Sequence, residues 1–308
     1  MRIALIGLGE VGRTLAEDFA GHDLSAWDVK FADPASAPSR NAARAGICPA
    51  GSAVEAVRDA GLIVSAVTAA NDLVAAQAVA PGIAPGAFFL DMNSASPGQK
   101  QASAAAIDGA GGRYVEAAVM SPIHPKRVAA PMLLGGPHAA AFAAIAAPLG
   151  FAGIEVFADE VGKASATKMC RSVVIKGVEA LLTESMLAAR AYGVEDRVLA
   201  TLSNLLPSDD WEKLAAYMIS RALEHGERRA EEMREAARTV AETGIEPLMA
   251  TATAHRQDFS ARYPQAASAG TVAGMVDAIR AAMPPASPTT VDTSTELREE
   301  AAQRNVPA

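Results

Sequence analysis

The chain has 308 residues, long enough for one large core or for two domains, and half of it (50%) is hydrophobic, so a packed interior is expected. Gly, Pro or charge breaks every apolar run well before ~18 residues, which excludes a membrane-spanning helix. The formal net charge of −8 excludes a nucleic-acid surface, because phosphate binding needs clustered Lys and Arg.

The first predicted element is a strand over 2–6 (RIALI). It runs into Gly7-Leu8-Gly9-Glu10-Val11-Gly12 and then a helical pattern starting RTLAEDF. Gly7, Gly9 and Gly12 stand at G-x-G-x-x-G spacing between strand and helix, the arrangement that brings a pyrophosphate to a helix N-terminus. Gly7 to Thr14 also fits a P-loop, with Arg13 in the lysine position, where a guanidinium is a poor substitute for an ammonium. No signal-peptide apolar region precedes the motif, so a cytoplasmic setting is expected.

A second strand is read over 28–33 (DVKFAD), which puts the Asp33 carboxylate where adenine-ribose hydroxyls are bound and favours NAD. Ser36, Ser39 and Arg40 just downstream could instead receive a 2′-phosphate, which leaves NADP open. Further strands are predicted over 62–67, 87–90, 113–119, 131–134 and 154–157. They end in Val67-Thr68, in Asp91 to Pro97 with Asn93 and Ser94, and in Met120-Ser121-Pro122. Polar groups therefore recur at strand carboxyl ends, where open α/β sheets bind ligands.

From Lys163 onward the strand patterns stop, which gives two domains, 1–162 and 163–308. Helices are expected over 164–192, 197–205, 209–243 (broken near Gly226), 246–256 and 269–282. On the first of these Ser165, Lys168, Ser172 and Lys176 share a face. Lys168, at the root of that helix, is the candidate for the chemistry. Arg229 and Met233 lie one turn apart in the charged stretch 228–238, where an arginine could clamp a carboxylate. The tail from Pro284 is Pro- and Thr-rich and is expected to be loosely held. The two cysteines, Cys48 and Cys170, are too few for a disulfide framework and are read as buried thiols. The five histidines show no metal-ligand spacing and pair with no nucleophile, so no metal is proposed.

The Gly7/Gly9/Gly12 turn, the Asp91 to Pro97 loop and the Gly162–Lys168–Ser172 helix resemble, in order and distance, the β-hydroxyacid dehydrogenase superfamily, which contains 3-hydroxyisobutyrate and 6-phosphogluconate dehydrogenases. The C-terminal run is similar to an uncharacterised 6-phosphogluconate-dehydrogenase-like subgroup. The resemblance implies a Rossmann-type doubly wound sheet followed by an all-α domain entered through a long helix. It implies a nicotinamide cofactor (NAD, with NADP possible), a small-molecule substrate and a homodimer. Gly7, Leu8, Gly9, Glu10, Val11, Gly12, Asp33, Val67, Thr68 and Asn93 would hold the cofactor. Lys168 would be the general acid/base, with Ser172 and Ser121 beside it. Ser94, Ser121, one of Arg171 or Arg229, and Met233 would face the substrate. The family's asparagine beside the lysine is Ser172 here, its S-G-G loop is Met120-Ser121-Pro122, and its later motif is Glu231-Glu232-Met233. Imine reduction on the same scaffold, or dinucleotide binding without turnover, are the alternatives.

Overall fold

The computed structural model describes residues 1–202 and 210–284. Part of the helix predicted over 197–205, and the tail beyond Pro284, lie outside the described residues. Seven strands form one sheet: β1 (Arg2–Ile6), β2 (Asp23–Trp27), β3 (Leu62–Ser65), β4 (Phe88–Asp91), β5 (Arg113–Val119), β6 (Met132–Gly135) and β7 (Ile154–Ala158). Their order is β2-β1-β3-β4-β5-β6-β7, with every pair parallel except β5 and β6. The helices α1 (Glu10–Asp18), α2 (Ala37–Ala45), α3 (Ala53–Val57), α4 (Asp72–Val79), α5 (Pro97–Gly109) and α6 (Ala139–Ala146) join these strands. β3 (LIVS) and β4 (FFLD) are apolar up to their last residue and buried along their whole length, because both of their faces are covered. One core, with Leu5, Val64, Leu90, Val115 and Phe142, lies on one side of the sheet; a second, with Ile6, Ile63, Phe89 and Tyr114, lies on the other.

The second strand departs from the sequence reading. β2 is 23–27, paired residue by residue from Arg2↔Asp23 to Ile6↔Trp27, and residues 29–32 form a 3₁₀ turn instead. Asp28 ends the strand by accepting a hydrogen bond from Lys30 N, and Val29 is 68% exposed, so the alternation in this stretch marks a solvated turn rather than a buried face.

The helical part begins with α7 (Lys163–Tyr192), followed by α8 (Glu195–Leu202), α9 (Trp211–Ala241), α10 (Leu248–Ser260) and α11 (Val272–Ala282). The break expected near Gly226 occurs at His225, whose φ of −127° and ψ of 16° kink α9. There the chain runs close against α10: a Cβ on Gly226 would stand 2.7 Å from the Gln257 carbonyl oxygen. These helices pack on two apolar clusters, one around Met186, Ile219 and Ile279 and a smaller one around Met169 and Met233. Both cysteines are exposed, contrary to expectation. Cys170 lies on the outer face of α7, with Arg171 and Val174, and not on the packed face of Met169 and Ser172. No described helix is long and apolar enough to cross a membrane.

Candidate active site

The carboxyl ends of β1, β3, β4 and β5 point the same way, so the loops after them share one edge of the sheet. The glycine turn after β1 has the geometry its spacing predicts. Gly7 has φ +88°, and a Cβ there would lie 2.6 Å from the Ala66 carbonyl oxygen; a Cβ on Gly12 would lie 2.0 Å from that of Gly7. Gly9, by contrast, has open space where its Cβ would be. That opening, at the N-terminus of α1, is where a pyrophosphate would approach the helix backbone. A cavity of about 270 Å³ continues from it, lined by Gly7, Gly9, Trp27, Asp28, Val29, Lys30, Ala37, Pro38, Ala66, Val67, Thr68, Asn71, Val74 and Ala75. The residues present therefore fit the adenosine half of a dinucleotide.

Asp28, which the sequence reading did not select, occupies this cavity's wall. Its carboxylate accepts hydrogen bonds from Leu8 N and Lys30 N, both at 2.9 Å, and so ties β2's end to the glycine turn. The signal was present in the sequence but shifted: the strand ends at Trp27, six residues before Asp33, and Asp28 is the carboxylate that follows it. Asp33 is exposed and accepts a hydrogen bond from Ala35 N. Ser36 and Ser39 donate to the Lys30 and Asp33 carbonyls, and Arg40 folds back onto the Ala35 carbonyl. Glu10 is exposed at the helix start and Val11 is half-buried, whereas the Leu8 side chain is in the core.

Beside this cavity, the loop after β4 meets the root of α7. Lys168 is half-buried, and its Nζ donates to Ser94 Oγ at 2.6 Å. Desolvation lowers the Lys168 ammonium to about 8; Glu232 opposes this, and the charges of Lys176, Lys100 and Arg228 add to it. One turn along, Ser172 accepts from Lys176 at 3.2 Å, and Lys176 pairs with Glu232 at 2.5 Å. Burial raises the Glu232 carboxyl, but Lys176 and then Lys168 outweigh it and hold it at about 2. Lys168, Ser94, Ser172, Lys176 and Glu232 are thus one constellation across the loop after β4, α7 and α9. The sequence places Lys176 on the Lys168 face and Glu232 in the Glu231-Glu232-Met233 motif but gives neither a role, and their pairing is not visible in it. Their signal was opposite charge on two helices whose mutual register sequence spacing does not give.

The other candidates lie elsewhere. Arg229 pairs with the 2%-exposed Glu179 at 2.5 Å, and Gln257 also donates to Glu179. Met233 is fully buried beside Met169 and Ala236. Arg171 is exposed on the outer face of α7. Ser121 is half-buried after β5 and donates to the Pro122 carbonyl within its own loop. That loop is fastened to α1: Arg127 reaches Asp18 at 2.7 Å, Glu17 at 2.9 Å and the Thr14 carbonyl at 3.1 Å.

Asn93 is buried, with its carboxamide turned inward. Its Oδ1 accepts from Val67 N at 2.7 Å, and its Nδ2 donates to Ser65 Oγ at 2.9 Å and to Asp72 Oδ1 at 2.7 Å. Beneath it Lys100 lies between Asp91 (2.6 Å) and Asp72 (3.5 Å), with Tyr114 donating to Asp91 and Ser103 to Asp72. Burial, together with the Asp72 charge, pushes the Asp91 carboxyl up to about 7 against the pull of Lys100. The helical part seals this loop from above: Glu235 of α9 accepts from Ser96 N at 2.9 Å and from the Gln99 amide.

Comparison with known proteins agrees with this fold. The family model described as the NAD binding domain of 6-phosphogluconate dehydrogenase matches residues 2–158. The chain belongs to this family. A second model, a domain of unknown function (DUF1932), matches residues 189–259. Among solved structures, a conserved hypothetical protein from Sinorhizobium meliloti 1021 is 33% identical, with 92% of this chain and 97% of that chain covered and a TM-score of 0.70. A conserved protein of unknown function, reported to be structurally similar to 3-hydroxyacid dehydrogenases, is 29% identical over 84% of this chain and 96% of its own, with a TM-score of 0.65. The 3-hydroxyisobutyrate dehydrogenase of Mycobacterium tuberculosis, determined with L-serine, shares the fold at 20% identity, 91% and 98% coverage and a TM-score of 0.65.

Proposed function

We propose that the protein is an NAD(P)-dependent oxidoreductase acting on a small β-hydroxy acid or its carbonyl form, with Lys168 as general acid/base. The observation that carries this is the placement of Lys168. A half-buried amine, brought down to about 8, stands on a hydroxyl of the loop beside the dinucleotide cavity. A scaffold that only bound a nucleotide would have no use for a desolvated lysine there. The turn from Gly7 to Gly12, together with Asp28, Val67 and Thr68, would hold the dinucleotide, whose nicotinamide accepts or supplies the hydride.

In the oxidising direction the Lys168 Nζ, as free amine, takes the proton of the substrate hydroxyl. In the reducing direction the ammonium returns it. Ser94 orients the amine by accepting its hydrogen bond. Lys176 and Glu232 balance one another's charge behind it, and the Lys176 ammonium holds Ser172 by donating to its hydroxyl. Ser121, at the β5 end of the same edge, is the proposed hydroxyl for that carboxylate. The apolar side chains Val174, Ile175 and Leu181, exposed along α7, suit a homodimer interface, which light scattering would test.

The deciding experiment is turnover of a hydroxyacid panel by the parent chain and by Lys168→Ala. We expect the substitution to lower turnover by ~10²–10⁴ while cofactor affinity stays within about threefold. An equal rate in the two would remove Lys168 from its role. Running the ketones with and without an added amine distinguishes carbonyl from imine reduction. NAD(P)H binding without turnover on any of these would support the scaffold alternative.

A further inference from the structure

The buried Asp72–Lys100–Asp91 group takes no part in the reaction described above, yet it lies directly beneath the two loops that frame it. We propose that Asn93, oriented by this buried group, is a positioning residue that holds the cofactor-side loop at Val67 and the Lys168 partner Ser94 in one fixed relation. The proposal rests on the oxidoreductase reading of the site.

The two ends of one carboxamide do different things here. An asparagine offers an oxygen that only accepts and a nitrogen that only donates. Asp72 is ionised: burial pushes its carboxyl up, but the adjacent Lys100 charge and several hydrogen bonds outweigh that and hold it below the ordinary carboxylate range. A carboxylate 2.7 Å away admits the nitrogen and rejects the oxygen. The oxygen must therefore face the other way, where Val67 N meets it at 2.7 Å. The charge on Asp72 thus decides which atom Asn93 offers to the backbone of the loop after β3. Lys100, which is 1% exposed, keeps that charge in place where an isolated carboxylate would be protonated.

Val67 lines the dinucleotide cavity. Ser94 follows Asn93 directly and accepts the Lys168 hydrogen bond at 2.6 Å. A shift of the Asn93 backbone therefore moves the amine's partner, and a turn of its amide releases a backbone donor on the cofactor side. One side chain thereby sets how the bound dinucleotide and the proton carrier stand on either side of a substrate, where a misplacement of about 1 Å can cost ~10² in rate.

The test is a swap. Asn93→Asp places two carboxylates side by side, while Asn93→Asp combined with Asp72→Asn exchanges the partners and restores one donor, one acceptor and one charge. We expect Asn93→Asp to bind NADH or NADPH about tenfold more weakly than the parent, and the double variant to recover to within about threefold. In Asn93→Ala the Lys168 midpoint should fall below that of the parent, because Ser94 is no longer fixed to accept from the ammonium. That midpoint is read by ¹³C NMR of reductively methylated protein, with the Lys168 signal identified by its loss in Lys168→Ala.

A folded Asn93→Asp that binds cofactor like the parent, or a double variant no better than the single, would overturn the proposal. So would an unmoved Lys168 midpoint in a folded Asn93→Ala. If the parent bound neither nucleotide the oxidoreductase reading would fall, and the Lys168 midpoint would still decide for or against Asn93 as the residue that places Ser94.

Discussion

Removing Arg229 should unfold the helical part before it harms the chemistry. The Arg229 side chain is 12% exposed and the Glu179 side chain 2%, with two nitrogen–oxygen contacts of 2.5 and 2.7 Å between them. Arg229→Met would leave Glu179 with one neutral donor, Gln257, at 3.2 Å. Breaking a buried pair from one side costs about 3–5 kcal/mol. The pair is imperfect in the parent, since Arg229 Nε has no hydrogen-bond partner, so the lower end applies: about 3 kcal/mol, or roughly 5 °C in Tm for a chain of 308 residues.

The pH dependence has a definite sign. Burial already raises the Glu179 carboxyl, with Arg229 opposing it, and without Arg229 it rises further. A carboxyl whose folded value lies above its unfolded value binds its proton more tightly when folded, so stability is lost as pH rises through the folded value. The deficit of Arg229→Met against the parent should therefore be largest at neutral pH and shrink toward pH 5, as followed by urea unfolding. Arg229→Met combined with Glu179→Leu should recover most of the loss. A single variant as stable as the parent, with a raised KM for substrate instead, would refute this reasoning and return Arg229 to the substrate clamp expected from its sequence position.

Three further outcomes are expected. In the oxidising direction kcat/KM should climb with pH and level off above about 8, since the free amine of Lys168 is the base; in the reducing direction it should fall over the same range, as initial-rate profiles would show. Gly9→Ala should fold like the parent, its Cβ meeting nothing in the protein, but lose tenfold or more in dinucleotide affinity by calorimetry, whereas Gly12→Ala, 2.0 Å from the Gly7 oxygen, should itself be destabilised in a thermal melt. Arg127→Ala, by releasing the Ser121 loop from α1, should raise KM for the substrate more than it changes cofactor affinity, and should make residues 120–131 more open to limited proteolysis.

Where the sequence could be read, local chemistry decided the outcome. The Gly7-x-Gly9-x-x-Gly12 turn was legible because the steric demand lies in three residues of one turn. β5 came out over its predicted range, and α7 within one residue at its start, since an apolar strand and a Gly-bounded helix each carry their own period. β2 was misplaced because Val29 and Phe31 alternate like a strand while Asp28 and Asp33 close turns, a competition that only the pairing with β1 resolves. The site was half legible. Lys168 and Ser94 follow motifs, but Glu232, Lys176 and the turning-away of Arg229 depend on how α9 lies against α7, and no spacing within either helix encodes that.

α7 is a single rod of 30 residues, about 45 Å long, anchored at its root where Gly162 N and Ser165 N both donate to the buried Glu116 carboxylate. Lys168 sits only about 8 Å from that fulcrum. A tilt of five degrees would sweep the distal tip through roughly 4 Å while displacing the amine by under about 1 Å. Remodelling at the far end, whether by mutation or by a docking partner, can thus vary widely while the reactive group scarcely feels it, which leaves that end free to diversify around an unchanging pivot.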